Sequence, residues 1–265
     1  MIDVPGCGSP RDPSGSNDAP PSQPGRHLNP SHQDQNLPPS PLPPPGAERV
    51  FGDRLALAKQ FAVILADTGV THGLIGPREI PRLWERHVLN CAVIHSAIAA
   101  DQMVIDVGSG AGLPGLALAI ARPDLDVHLV EPMLRRTNWL SLAVEELGLT
   151  NVTVHRGRAE EFVGILCAPV VTARAVARLS ELARWCLPLL LPGGSLLAIK
   201  GLSVAEEVES DRPVLRRLGA IDEVIETFGF GIVDQETTVL RVVKGDRPLG
   251  RSKSRTGKPT AKRRR

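Results

Sequence analysis

A β-branched run leads straight into glycines at residues 104–115, Val104-Ile105-Asp106-Val107-Gly108-Ser109-Gly110-Ala111-Gly112-Leu113-Pro114-Gly115. Glycines at such a point let the backbone turn tightly, tolerate φ values that other residues avoid, and pass close to a ligand. A strand, a glycine turn and a helix in that order open a βα unit. Dinucleotide enzymes use the turn as G-x-G-x-x-G, with pyrophosphate on the helix N-terminus. Here the spacing is G-x-G-x-G, and Leu113 stands where that fingerprint needs its third glycine. A tight turn with no ligand is the bland reading of the same residues.

The rest of the chain extends the βα pattern. Before the glycine loop, apolar residues at spacings near three and four predict a helix over residues 49–66, and a second helix is expected from 77 to 99, with Pro81 tolerated only in its first turn. After the loop, Leu116 to Ala121 reads as helix, 127–130 as a strand, 135–147 as a helix ended by Gly148, 152–154 and 170–173 as strands, and 178–187 as a helix that Pro188 ends. Pro192-Gly193-Gly194 predicts a turn before a strand at 196–199. A charged helix over 203–218 and two last strands near 221–228 and 237–243 complete the order. Strands alternating with helices imply a mostly parallel sheet covered on both faces, and the two last strands, with no helix between them, imply one antiparallel edge.

Charge divides the chain into three parts. Residues 1–48 carry 2 Lys+Arg against 5 Asp+Glu, residues 49–243 carry 19 against 23, and residues 244–265 carry 10 against 1, which together give the net +2. The first part also holds 13 of the 24 prolines, too little apolar surface to offset its ordering entropy. The domain reading is therefore a disordered proline-rich extension at 1–47, one α/β domain at 48–243 and a disordered basic tail at 244–265. The tail has no apolar pattern and is expected to attract phosphates without reading sequence. No stretch approaches 18 consecutive apolar residues, so no membrane span is expected. The first ten residues lack the basic start and apolar core of a secretory signal. Four cysteines without C-x-x-C spacing suggest neither a disulfide framework nor a zinc site, and point to a cytoplasmic protein with reduced thiols.

Acids at fixed places narrow the ligand. Asp106 stands two residues before the first glycine, Glu131 ends the next strand, and Arg158-Ala159-Glu160 follows the third. This pattern resembles class I S-adenosylmethionine (SAM) methyltransferases, whose Rossmann-like sheet has seven mostly parallel strands with one antiparallel edge, here behind an N-terminal helical cap. The resemblance gives Asp106, Gly110 and Glu131 to the cofactor, with Glu131 accepting from the ribose hydroxyls, and the Ala159 backbone and Glu160 reading the adenine.

Residues 49–243 more specifically resemble the glucose-inhibited division protein B family, also called RsmG, of small-subunit ribosomal RNA methyltransferases. Trp84-Glu85-Arg86-His87-Val88-Leu89-Asn90 is similar to that family's RHILDS stretch, with Asn90 where Asp is usual. The glycine loop fits IDVGSGAGLPG, and its trailing Leu-Pro-Gly is far more specific than the glycines alone. Arg158-Ala159-Glu160-Glu161 matches RAEE, residues 172–177 resemble SRAVA, and Ala198-Ile199-Lys200-Gly201 matches xLKG. One departure is Ala168-Pro169, where Phe-Asp is common. The resemblance implies methylation of N7 of one guanosine in 16S rRNA near the decoding site, on a small subunit or its assembly intermediate, by a monomer. It implies SAM contacts at Gly108, Leu113, Ala159, Glu160 and Arg174.

Guanine N7 offers an in-plane lone pair and carries no proton, so its methylation needs no general base and rests on alignment and water exclusion. The sequence has no Asn/Asp-Pro-Pro-Tyr after the fourth strand and no cysteine nucleophile there. Arg174, leaving that strand, is the candidate to pair with guanine O6, a phosphate or the cofactor carboxylate, against a structural ion pair. Lys200, ending the fifth strand, is a candidate phosphate holder, against a solvated strand end. His87 either covers the cofactor or is a hydrogen-bonded, partly buried histidine. No metal is expected. Trp84, Trp139 and Trp185 read as helix core. Other readings of the chain are a SAM enzyme with another RNA or protein acceptor, or a non-catalytic SAM-binding assembly factor.

Overall fold

A computed structural model describes residues 40–174 and 177–246. Seven strands form one sheet: β1 Met103–Val107, β2 Asp126–Glu131, β3 Val152–Arg156, β4 Ala168–Arg174, β5 Leu190–Ile199, β6 Ala220–Phe228 and β7 Thr237–Lys244. Their order is β3-β2-β1-β4-β5-β7-β6. β1 to β5 pair in parallel, and β7 runs antiparallel to both β5 and β6. The antiparallel strand is thus not the outermost. A helical crossover carries the chain from β5 to β6, leaving a gap that β7 returns to fill.

Both faces of the sheet are covered, and the alternation of side chains shows it. Val104, Val127, Leu129, Val170, Leu197 and Val239 pack into one core with the N-terminal helices. Ile105, Val130, Val171, Leu196, Ala198 and Leu240 pack into the other. The first core takes α1 Gly46–Phe51, α2 Leu55–Ile64, α3 Leu89–Ala92, α4 Gly115–Ala121 and α5 Leu134–Glu146; the second takes α6 Leu179–Cys186 and α7 Val204–Arg217. The parallel strands all end at one edge of the sheet, where the loops after β1, β2, β3, β4 and β5 converge.

The N-terminal segment differs most from the sequence expectation. The helix expected at 49–66 breaks at Gly52, whose φ of 48° closes α1 before a 3₁₀ turn. The helix expected at 77–99 is a succession of 3₁₀ turn Pro77–Arg82, π turn Trp84–Val88, α3 and 3₁₀ turn Val93–Ala97. Pro81 lacks the N–H that a regular α-helix would use. The expected turn at Pro192-Gly193-Gly194 is instead a bulge inside β5: Ala168 pairs with Leu190 and Val170 with Ser195, so β5 carries the surplus residues. Gly193 takes φ 75° there.

The domain limits also move. Ala47 is fully buried in α1, and Trp84 Nε1 donates to the Pro41 carbonyl at 2.9 Å. Lys244, placed in the basic tail by composition, ends β7 and donates to the Leu190 carbonyl. Residues 1–39 and 247–265, the bulk of the head and tail, lie outside the described residues. Among the described residues, Cys91 and Cys186 are buried free thiols. No helix among the described residues is long and apolar enough to cross a membrane.

Candidate active site

The glycine loop is shaped by carboxylates from two strands. Asp106 faces the α4 side of β1, and its Oδ2 accepts from the N–H of Gly115 at 3.0 Å. Gly115 is the first residue of α4, so the carboxylate caps that helix from outside, where the helix dipole favours negative charge. Thr172 Oγ1 donates to Asp106 Oδ1 at 3.3 Å. Burial pushes the Asp106 carboxyl up to about 6, and the bonds from Gly115, Ser109 and Thr172 act against that rise. A side chain at Gly115 would collide with Leu129 and come 2.7 Å from Asp106 Oδ2. Gly108, Gly110 and Gly112 take φ of 72°, 55° and 75°, the left-handed region that requires glycine.

Glu131, 2% exposed at the end of β2, stiffens the other side of the loop. Its Oε2 accepts from Gly110 N–H at 3.1 Å and its Oε1 from Met133 N–H at 3.0 Å. Arg136 Nη1 lies 3.7 Å from Oε2.

Two cavities meet over this loop and share Gly108 and Pro132. The larger, about 340 Å³, is lined by Gly108–Ala111, Leu113, Glu131, Arg136, Arg174 and, from the cap, Leu74 and Ile75. The smaller, about 210 Å³, runs under Val107 and Val130 to Gly157, Arg158, Ala159, Glu160 and Trp185. Arg136 lines the larger cavity, and its Nε is a buried donor with no hydrogen-bond partner. Buried donors are normally satisfied, so this one suits a polar ligand atom. Carboxylate, unpaired donor and an apolar slot beneath the sheet edge together fit a nucleoside joined to an amino acid.

Arg174 reaches this cleft from the end of β4. Its Nη1 donates to the Arg86 carbonyl at 3.0 Å and to Cys91 Sγ at 3.2 Å, and its Nη2 contacts His87 Nδ1 at 2.7 Å. His87 Nε2 lies 2.9 Å from Glu79 Oε2, and both Glu79 oxygens accept from Arg86 Nη1 at 3.0 Å. Burial and the Arg174 charge lower the His87 pKa, while Glu79 works to raise it. The π turn Trp84–Val88 is what presents the Arg86 carbonyl and His87 to the strand end, and such turns recur at functional sites.

Of the residues singled out from sequence, Gly108, Gly110, Leu113, Glu131 and Arg174 line the larger cavity, and Gly108, Ala159 and Glu160 the smaller. Asp106 lines neither. Lys200 does not reach them: its Nζ donates to Glu207 Oε2 at 2.8 Å and to the Ala177 carbonyl at 3.2 Å. It borders a separate cleft of about 400 Å³ between the cap and the β5–β7 edge, and its charge is already paired. His87 is the hydrogen-bonded, partly buried histidine of the two readings. Trp84 and Trp139 are core, but Trp185 stands on the wall of the smaller cavity. Leu74, Ile75 and Arg136 escaped the sequence reading, and Trp185 was read there as helix core. The one usable signal is the position of Arg136 in the first turn of the helix after Glu131, where a cation opposes the helix dipole.

The family described as GidB, rRNA small subunit methyltransferase G, matches residues 54–236. The chain belongs to this family. It is 57% identical to the ribosomal RNA small subunit methyltransferase G of Paenarthrobacter aurescens over 197 residues, covering 74% of this chain and 91% of that protein. It is 54% identical to the enzyme of the same name from Streptomyces avermitilis over 215 residues, covering 81% and 89%. The family match spans the cap from α2 onward, the glycine loop, both cavities and the β6–β7 turn, so every residue placed above in the cleft lies within it.

Proposed function

We propose that this chain transfers a methyl group from SAM to N7 of one guanosine in small-subunit ribosomal RNA near the decoding site, in the cytoplasm. The observation that carries the reading is the pair of adjoining cavities over the glycine loop, with Arg174 lining the larger, in a chain of the rRNA small subunit methyltransferase G family. SAM, when bound, supplies an electrophilic methyl on a sulfonium. The residues suited to hold it are the backbone at Gly108, Gly110 and Leu113, the Glu131 carboxylate at the ribose, and Ala159 and Glu160 at the adenine, with Trp185 as an apolar wall. Arg136 offers its unpaired Nε.

The remaining work is alignment. N7 has no proton to remove, so no general base is needed, and no group at the mouth of the cleft has to titrate during the step. Positive charge builds on guanine as the N–C bond forms. A cation beside the ring therefore contributes by orientation rather than by stabilising charge. Arg174 is suited to this role. A guanidinium has five N–H donors; three are used on Arg86, Cys91 and His87, and two remain to grip guanine O6 or a neighbouring phosphate. Leu74 and Ile75 of the cap close the larger cavity against water. Lys200 does not touch the reacting groups; its amine ties the Ala177 carbonyl to Glu207.

The test is acceptor identity. Small ribosomal subunits lacking the modification are incubated with the protein and methyl-labelled SAM, and rRNA and proteins are then separated. Label in the 16S rRNA alone is expected. Label in a ribosomal protein, or none, overturns the proposal, and SAM binding without transfer would favour an assembly factor.

A further inference from the structure

Glu79, His87, Arg174 and Arg86 form a closed ring that ties the cap to the acceptor side of the cleft. Glu79 lies in the 3₁₀ turn Pro77–Arg82, His87 and Arg86 in the π turn, and Arg174 at the end of β4. The ring fixes protons as well as positions. An Arg guanidinium only donates, so the 2.7 Å contact between Arg174 Nη2 and His87 Nδ1 requires a bare lone pair on Nδ1. The single imidazole proton then sits on Nε2 and donates to Glu79 Oε2 at 2.9 Å. The opposite tautomer would set an N–H against an N–H at Arg174 and two acceptors against each other at Glu79. A protonated ring would likewise repel Arg174. Only a neutral Nε2–H imidazole completes the circuit, and the Glu79 carboxylate selects it.

We propose that Glu79 is a positioning residue: acting through the Nε2–H tautomer of His87, it sets the direction of the Arg174 guanidinium and hence the approach of guanine to the methyl donor. This rests on Arg174 orienting the acceptor. The cap is then a working part of the site, because a group two turns away on the cap decides where a group on the sheet points. It also gives transfer an acid limit. Below the His87 pKa, Nη2 of Arg174 loses its acceptor while Nη1 keeps Arg86 and Cys91, so the guanidinium turns out of line, and turnover falls as pH drops, while the cofactor cavities, built on Glu131 and the glycine loop, stay intact. The charged groups facing His87 are Glu79 and Arg86 from the cap and Arg174 from β4, with the Cys91 thiol of α3 beyond Arg174. Burial holds that thiol above its ordinary pKa, so it stays neutral. Asp106 also titrates near 6, and the experiment must separate it from His87.

Three variants do so. Long-range ¹⁵N–¹H correlation on histidine-labelled protein without cofactor is expected to show His87 as the Nε2–H tautomer at pH 7, and as a mixture in Glu79→Ala. Glu79→Ala is expected to lower kcat on unmodified small subunits by about ten- to a hundredfold, with KM for SAM unchanged. Glu79→Gln keeps an acceptor for Nε2–H but removes the charge that raises the His87 pKa, so the acid limb of kcat moves to lower pH. His87→Gln, which can bridge both neighbours and cannot titrate, is expected to retain turnover and lose the acid limb. An Nδ1–H tautomer in the parent protein overturns the proposal. So does an acid limb that persists unchanged in His87→Gln, since it would then belong to Asp106. If the parent protein transfers no methyl to rRNA, the functional reading fails, and the tautomer spectra decide the ring independently.

Discussion

Single atoms decide much of this site, and two residues show how differently sequence and structure weigh them. Gly110 was legible from the sequence because only a missing side chain explains its place in the loop. Its φ of 55° costs any other residue about 1–2 kcal/mol, and the nearest atom to an added Cβ is 3.8 Å away, so a larger side chain projects into free space. Gly110→Val is expected to leave a folded protein with SAM affinity reduced at least about tenfold, read by calorimetry; unchanged binding would remove the loop from the cofactor site. Asp106 was legible as important but not as what it is. An acid before a glycine loop suggests a ligand contact, whereas its oxygens are taken by Gly115 and Thr172. Such bonds depend on how the strand and helix pack, which spacing does not encode. Burial raises its pKa from 3.8 to about 6. Between those values the folded state holds a proton that the unfolded state has released, so stability falls as pH rises through that window. Asp106→Asn is expected to flatten that part of the stability–pH curve, measured by urea unfolding at several pH values; an unchanged slope would place the titration elsewhere.

Elements were mostly legible where hydrophobic period and length agree. β1 and its glycine loop, β2, α5 and α7 stand within a residue or two of their expected places, because a buried strand or an amphipathic helix writes its period into the chain. The cap was not. Residues 77–99 carry a helical apolar pattern, yet the chain there alternates 3₁₀, π and α turns, with Pro81 lacking an N–H inside the first of them and tertiary contacts to Arg174 and Thr237 holding the rest. Asn90 Nδ2 donates to Thr237 Oγ1 at 2.7 Å, and Thr237 Oγ1 donates to the Asn90 carbonyl at 2.8 Å, which pins the cap to the start of β7. The N-terminus of α6 is a second case. Arg178 supplies no side-chain cap; instead Glu207 and Asp211, one turn apart on α7, accept from the Leu179 and Ser180 N–H groups at 3.3 and 2.8 Å. These carboxylates cap another helix from a distance, and Lys200 neutralises one of them. Asp211→Ala is expected to cost about 0.5–2 kcal/mol in chemical denaturation. Lys200→Met is expected to lower kcat modestly, since its amine ties the Ala177 carbonyl to Glu207, and to leave the salt dependence of RNA binding unchanged. A steeper loss with altered salt slope would return Lys200 to the phosphate-holding role that its position at a strand end first suggested.

The whole molecule separates recognition from attraction. Residues 49–243 carry a net charge of −4, and ten basic residues against one acidic crowd into 244–265. A body of that sign gathers little RNA by charge alone, so acceptor recognition falls to a few placed groups such as Arg174. Deleting 247–265, which removes nine Lys and Arg, is expected to weaken binding to small subunits and lower the slope of log K against log salt by about 0.7–0.9 for each phosphate that the tail no longer neutralises. An unchanged slope would mean that the tail does not touch RNA. The parallel run of the first five strands, and with it the cleft at their ends, follows from the alternation of βα units; the order of the strands and the place of β7 inside the sheet do not, because the same alternation fits several orders and two adjacent strands without a helix between them fit either edge order. The most direct test of the account is the atom that receives the methyl group. After reaction with unmodified small subunits, the 16S rRNA is digested to nucleosides for mass spectrometry and, in parallel, cleaved with borohydride and aniline, which breaks the chain at N7-methylguanosine. The account predicts one additional N7-methylguanosine per 16S rRNA at a single cleavage position near the decoding site, absent with Arg174→Ala although that variant still binds SAM. A methyl group on another atom, or undiminished N7 methylation by Arg174→Ala, would contradict it.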